Sequence, residues 1–107
     1  MKSHFQLATY IMASARNGTV YTGSTSNLVK RAWQHREMLV EGFTSRHNVK
    51  ILVWFELHTT MENAITRELA IKEWKRKWKL NLIESMNPDW RDLWPDIIGG
   101  QAGDPSA

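Results

Sequence analysis

The sequence predicts one small α+β domain. Its core is a three-stranded, mainly antiparallel sheet, a hairpin plus one central strand, packed with helices in the order β-β-α-β-α-α. Three observations carry this. Two short apolar segments flank Asn17-Gly18, a dipeptide suited to a tight hairpin. The unbroken apolar run Ile51-Leu52-Val53-Trp54-Phe55 has the length of a buried strand. Apolar residues at helical spacing fill the segments on either side of that run. A chain of 107 residues, 42% hydrophobic and 23% charged, is ordinary for a single folded domain and excludes disorder over its whole length.

Each element has a local reason. In the first strand, over 5–13, Phe5, Leu7, Thr9, Ile11 and Ala13 alternate with other residues. Ala15-Arg16-Asn17-Gly18 turns the chain, and 19–23 returns as the second strand. Ser24-Thr25-Ser26-Asn27 is rich in N-cap residues, so a helix begins there and runs to about Val40. Its apolar side carries Leu28, Ala32 and Leu39, widened by Val29, Trp33 and Val40, while Arg31 and His35 sit one turn apart on its edge. A polar loop over 42–48 leads to a central strand over 49–57. Thr59-Thr60-Met61-Glu62 fits a capping box with Thr59 as N-cap, opening a long helix to about Lys79. A second helical piece, 80–86, stops before Asn87-Pro88. The aromatic and acidic stretch 89–98 folds back on the body. The domain is thus expected to span 1–98, with 99–107 a frayed tail.

Several function classes drop out. With no cysteine there is no disulfide scaffold, zinc ribbon or thiol nucleophile. No apolar run is long enough to span a membrane, and Met1–Gln6 lacks the apolar core of a secretory leader, so a cytoplasmic location is expected. His4, His35, His47 and His58 form no metal pair at short spacing, and neither a Gly-rich phosphate loop nor a Gly-x-Ser-x-Gly elbow occurs. Glu73-Trp74-Lys75 resembles half of a two-carboxylate nuclease site. It lies on a predicted helix, however, with its Pro-Asp pairs after it.

Charge points to a polyanion. Residues 1–80 hold thirteen Lys and Arg against six Asp and Glu, whereas 81–107 hold one against five. Of the six tryptophans, Trp33 and Trp54 are assigned to the core. Trp74 and Trp78 suit either core packing or stacking on bases.

Within this frame a phosphate pocket takes shape. Tyr10 and Tyr21 face each other across the hairpin. Gly23 marks a close approach of backbone. The following helix N-terminus favours an anion and carries Arg31 and His35 within its first turns. On the long helix, Glu68 falls about 40° from Ala64, inside the apolar arc, and a carboxylate there needs a partner. Two partners stand open: a metal ion, or a salt bridge to Lys72 four residues on.

An ordered set of segments is similar to a known family. It comprises Tyr10-Ile11-Met12, Asn17-Gly18-Thr19-Val20-Tyr21-Thr22-Gly23, Arg31-x-x-x-His35, Gly42-Phe43-Thr44, Leu52-Val53-Trp54-Phe55-Glu56, Arg67-Glu68 and Asn87-Pro88-Asp89-Trp90-Arg91-Asp92-Leu93. Together they resemble the GIY-YIG nuclease superfamily, in its small stand-alone bacterial branch. Ala8 stands for the pattern's first glycine, Thr22 for the middle of its second triplet, and Leu69 follows Glu68 where relatives often carry lysine. The resemblance implies a metal-dependent endonuclease that hydrolyses phosphodiester bonds of nucleic acid by in-line attack of water; DNA is the leading substrate, with RNA left open. It implies Tyr10 or Tyr21, with Tyr10 preferred, as the base, and Arg31 as stabiliser of the pentavalent phosphate. His35 would orient a tyrosine or assist proton transfer, and Glu68 would hold a single Mg²⁺ or Mn²⁺. An asparagine completes the pattern, with Asn87 chosen and Asn81 its rival. Lys30, Arg36, Lys72, Lys75 and Arg76 are assigned to the nucleic acid, the partner, with no membrane and a monomer or weak homodimer expected. The alternative is a module on the same fold that binds nucleic acid through the basic cluster 72–79 without cutting it. A protein-interaction surface built on Trp90 and Trp94 is a third reading.

Overall fold

The structure, a computed structural model, describes residues 6–40 and 42–102. Strands β1 (Ala8–Ala13) and β2 (Val20–Thr25) form the hairpin. They are followed by α1 (Leu28–Arg36), a short α2 (Phe43–Arg46), β3 (Ile51–Leu57), α3 (Met61–Lys72), α4 (Arg76–Met86) and α5 (Trp94–Ala102). The sheet is antiparallel throughout, in the order β2-β1-β3. The predicted class and order hold, with α2 and α5 added. The central strand is β1, not the Val49–Leu57 segment.

An apolar run does not distinguish a central strand from an edge strand covered on both faces, and β3 is the latter. Opposite Ile11 and Met12 its register shifts: Ile11 pairs with Trp54 and Met12 with Leu52. This bulge lets Val53 and Trp54 face the same side. One face of the sheet buries Ala8, Tyr10, Met12 and Leu52 against Leu28 and Ala32 of α1 and Leu93 and Ile97 near α5. The other buries Ile11, Ala13, Val53 and Trp54 against Ile71 of α3, Ile83 of α4 and Trp90. The predicted fold-back of 89–98 is therefore real. Trp90 is buried, which removes it from any docking surface.

The predicted boundaries move for local reasons. Asn27 caps α1, its side chain accepting from the Lys30 amide at 3.1 Å. The helix ends at Arg36 rather than Val40. Met38 turns left-handed (φ 61°), Met38 N–H donates to His35 O, and Leu39 N–H donates to Gln34 O, a Schellman ending without its usual glycine. Shortening α1 strands Leu39 outside the core. Trp33 is also 46% exposed, because the buried stripe is Leu28, Ala32 and His35. Thr60, not Thr59, caps α3, accepting from Asn63 N–H at 3.0 Å. The long helix breaks at 73–75 rather than near Lys79, so that Ile83 of α4 packs under the sheet. The stretch from Gly99 continues α5 to Ala102. Phe5 and 103–107 lie outside the described residues.

Candidate active site

The pleat puts Tyr10 and Tyr21 on the α1 face of the sheet. Tyr10 pairs with Gly23 and Met12 with Tyr21, and paired residues share a face. Tyr10, Tyr21 and His35 form a cluster of three rings, with centroids 6.4 Å apart for the tyrosines and 5.7 and 5.6 Å from each to His35. The Tyr10 hydroxyl is 3.1 Å from His35 Nε2. His35 is buried, one turn beyond Ala32 in the stripe of α1 that faces the sheet. Its Nδ1 has no hydrogen-bond partner among the described residues.

Gly23 explains how a buried phenol reaches the sheet edge. A Cβ on that residue would lie 2.5 Å from the Tyr10 hydroxyl and 2.7 Å from Cζ. The Tyr10 ring thus crosses the bare backbone of β2, an edge strand. The next residue, Ser24, pairs with Thr9 and points to the opposite face, where α3 lies. Its Oγ donates to Glu68 Oε1 at 2.5 Å. Two consecutive residues of one edge strand therefore meet a phenol from one face and a carboxylate from the other.

The Glu68 side chain is 15% exposed, and its Oε2 pairs with Lys72 Nζ at 2.6 Å. The salt bridge weighed for Glu68 is present. It does not carry the carboxylate away from the tyrosines, since Lys72 Nζ lies 5.8 Å from the Tyr21 ring centroid. Glu68 also acts on Tyr10. Burial first, then the Tyr21 phenol, with Glu68 adding to them, push the Tyr10 hydroxyl well above the ordinary tyrosine range, and Arg31 opposes them. Burial, helped by Arg31, lowers His35 to about 4, so the imidazole is neutral at pH 7.

Arg31 also lines a cleft of about 260 Å³ with Thr25, Ser26, Asn27, Lys30 and Gln34. This polar, basic hollow runs along the start of α1. The other basic residues assigned to nucleic acid divide. Lys75 is exposed, at the N-cap of α4. Arg36 is held by Asp92 and stacks on Trp94, so it ties α1 to the segment before α5. Arg76 donates to Asn17 O and Gly18 O, both at 2.8 Å, clamping the hairpin turn.

Asn87 is not brought to the tyrosines. It is buried at the end of α4, where Nδ2 donates to Val53 O (3.1 Å) and Arg91 O (2.8 Å) and Oδ1 accepts from Arg91 N–H (3.1 Å). All its side-chain hydrogen-bonding capacity but one lone pair is used in closing the 87–91 turn and tying it to β3. Asn81 is exposed on α4. Ser24, which stands in a run of N-cap-type residues in the sequence, is instead a residue of β2. The signal was the strand parity, since the neighbour of a glycine under Tyr10 must face α3.

The GIY-YIG catalytic domain profile matches residues 6–81. The chain belongs to the GIY-YIG family. It is 36% identical to a UPF0213 protein of Clostridium perfringens over 76 residues, 71% of this chain and 81% of that one. It is 32% identical to a UPF0213 protein of Staphylococcus aureus over 84 residues, 78% of this chain and 98% of that one. A UPF0213 protein of Staphylococcus haemolyticus matches at 30% over 73 residues, 68% of this chain and 89% of that one. No solved structure matches. Membership of a catalytic-domain family points to nuclease chemistry, and no helix among the described residues is long and apolar enough to cross a membrane.

The GIY-YIG site here fits one hard, largely hydrated cation. Among the described residues no three His, Cys, Asp or Glu converge as a metal cage. Mg²⁺ does not need one, because it keeps several waters and takes one or two carboxylates plus substrate phosphate. Glu68 is such a carboxylate, anchored by Ser24, and the position beside its Oε2 already accommodates the positive charge of Lys72.

Proposed function

We propose that this GIY-YIG protein is a divalent-cation-dependent endonuclease that hydrolyses phosphodiester bonds in DNA. The observation that carries the reading is the meeting across Gly23 and Ser24 of the Tyr10–His35 pair and the Glu68 carboxylate.

In this reading the scissile phosphate lies at the β2 edge with Arg31 against its non-bridging oxygens, where charge develops in the transition state. The Tyr10 oxygen takes a proton from the attacking water. For this Tyr10 must first lose its own proton to solvent; neutral His35, kept unprotonated by its lowered proton affinity, holds the Tyr10 oxygen in place through the hydrogen bond at Nε2 and is not the proton's destination. Ionising even a free tyrosine at pH 7 costs about 4 kcal/mol, and Tyr10 is harder to ionise than that. A cation bound at Glu68, Mg²⁺ or Mn²⁺, supplies the positive charge that offsets the carboxylate's effect on Tyr10 and neutralises the phosphate. Lys30, Lys72 and Lys75, all exposed, are the side chains proposed to hold neighbouring phosphates.

One observation favours the non-cleaving alternative: the Glu68–Lys72 pair already neutralises the carboxylate that would hold the cation. The test is cleavage of plasmid and branched DNA with Mg²⁺ or EDTA, using wild type and Glu68→Ala. Cutting that requires both Mg²⁺ and Glu68 supports the nuclease. Tight binding by wild type without cutting supports the binding module.

A further inference from the structure

The Tyr21 ring has neighbours on its outer side that the nuclease reading does not use. Phe43 stacks on Tyr21 with centroids 6.4 Å apart and planes 29° apart, and His47 follows on Phe43 at 4.4 Å and 38°. The three rings run outward from the site. Tyr21 is half-buried, Phe43 is 40% exposed, and His47 is exposed. Phe43 and His47 belong to α2 and its C-cap, a four-residue helix entered through Gly42 at φ 97° and anchored by buried Thr44. Core packing does not account for this placement, since the inward residue of α2 is Thr44. Arg46 on the same helix and Lys50 just beyond it are exposed, so the rings sit among cations.

We propose that Phe43 and His47 form a stacking platform for one nucleobase of the strand whose phosphate is cut. The proposal rests on the nucleic-acid part of the reading above. Aromatic rings interleaved with Lys and Arg are the arrangement that grips a strand without reading its sequence: rings take base faces, cations take the backbone. Continuity with Tyr21 selects a nucleobase over another apolar occupant. The row begins on a ring of the phosphate site and is about one ring spacing per step. A base lying on Phe43 and His47 must be unstacked from at least one neighbour. The substrate class is therefore a strand with an unpaired or extruded base beside the scissile phosphate.

The experiment measures binding in EDTA, where no cutting occurs. The probes are a short DNA single strand and a matched strand of abasic nucleotides. Wild type is expected to bind the base-bearing strand roughly 5- to 150-fold more tightly, the range that one stacked base supplies. Phe43→Leu keeps the apolar bulk and removes the ring. It should lose most of that preference while binding the abasic strand as before, Phe43→Tyr should restore it, and His47→Ala should lose part. Phe43→Leu that keeps the full preference, or weakens both strands equally while folded by circular dichroism, overturns the platform. Binding with the expected pattern but no cutting in Mg²⁺ supports the platform and overturns the nuclease. Failure to bind either strand overturns both.

Discussion

Gly23→Ala is the sharpest perturbation of the site. The added methyl would sit 2.5 Å from the Tyr10 hydroxyl, 2.7 Å from Cζ and 3.1 Å from Cε2, where ordinary contact begins near 3.4 Å. The ring must retreat by about 1 Å, yet Tyr10 is only 2% exposed and has no free space to retreat into. Overpacking of this kind costs about 1–3 kcal/mol. Breaking the Tyr10–His35 hydrogen bond adds about 1 kcal/mol, and alanine recovers up to about 1 kcal/mol over glycine in the unfolded chain. The net expectation is a loss of about 1–4 kcal/mol, read as a lower midpoint in urea unfolding. Displacing a reacting group by about 1 Å should also slow single-turnover cleavage about 100-fold. Gly99→Ala is the control, because a Cβ there meets nothing within 4 Å and the residue lies in a helix. Its stability should hold or rise. A Gly23→Ala protein with wild-type stability and wild-type cleavage would show that Tyr10 does not depend on the bare backbone at Gly23.

Three other perturbations separate roles. Burial of neutral His35, at about 4 against about 6.5 unfolded, means that the unfolded chain takes up the proton first as pH falls. The stability due to this histidine is complete above pH 6.5 and is lost as pH drops to about 4, by up to about 3 kcal/mol. His35→Gln should flatten that slope relative to wild type in urea unfolding at a series of pH values, and an unchanged slope would count against it. Lys72→Met removes the ammonium from Glu68 Oε2, so calorimetry should show Mn²⁺ binding several-fold tighter, with Lys75→Met as the charge-matched control. Equal gains in both variants would mean that general charge, not the pair, sets affinity. Asn87→Ala should cost about 2–3 kcal/mol by leaving Val53 O, Arg91 O and Arg91 N–H short of a partner, with cleavage by the folded fraction little altered. Loss of cleavage at full stability would instead place Asn87 in the chemistry.

Local chemistry made much of the fold legible. Asn17-Gly18 marks the hairpin because Asn17 takes positive φ there, and Asn27 marks the start of α1 because its side chain satisfies a free amide. The features that stayed hidden depend on contacts distant in sequence. Met38 gives no glycine signal for the end of α1, and the break at 73–75 has neither Gly nor Pro. Both reflect which residues the sheet can bury. The position of β3 at an edge was invisible because helices cover both its faces. In the candidate site, the neighbourhood of Tyr10, Tyr21, Arg31, His35 and Glu68 is expected from spacing and motif, and the structure brings these side chains near one another. The hold of Ser24 on Glu68 and the Tyr21–Phe43–His47 row follow only from strand register and the turn through α2. Arg36, Arg76 and Asn87 show the converse: side chains of the right type are engaged by the fold itself.

The most direct measurement is an NMR titration with Mn²⁺, whose paramagnetism broadens nearby signals. Early, selective broadening is expected at Glu68, Ser24, Gly23 and the Tyr21 ring, with its loss in Glu68→Gln. Broadening confined to the acidic stretch 89–96, or a wild-type pattern that persists without the Glu68 carboxylate, would contradict a cation site at Glu68.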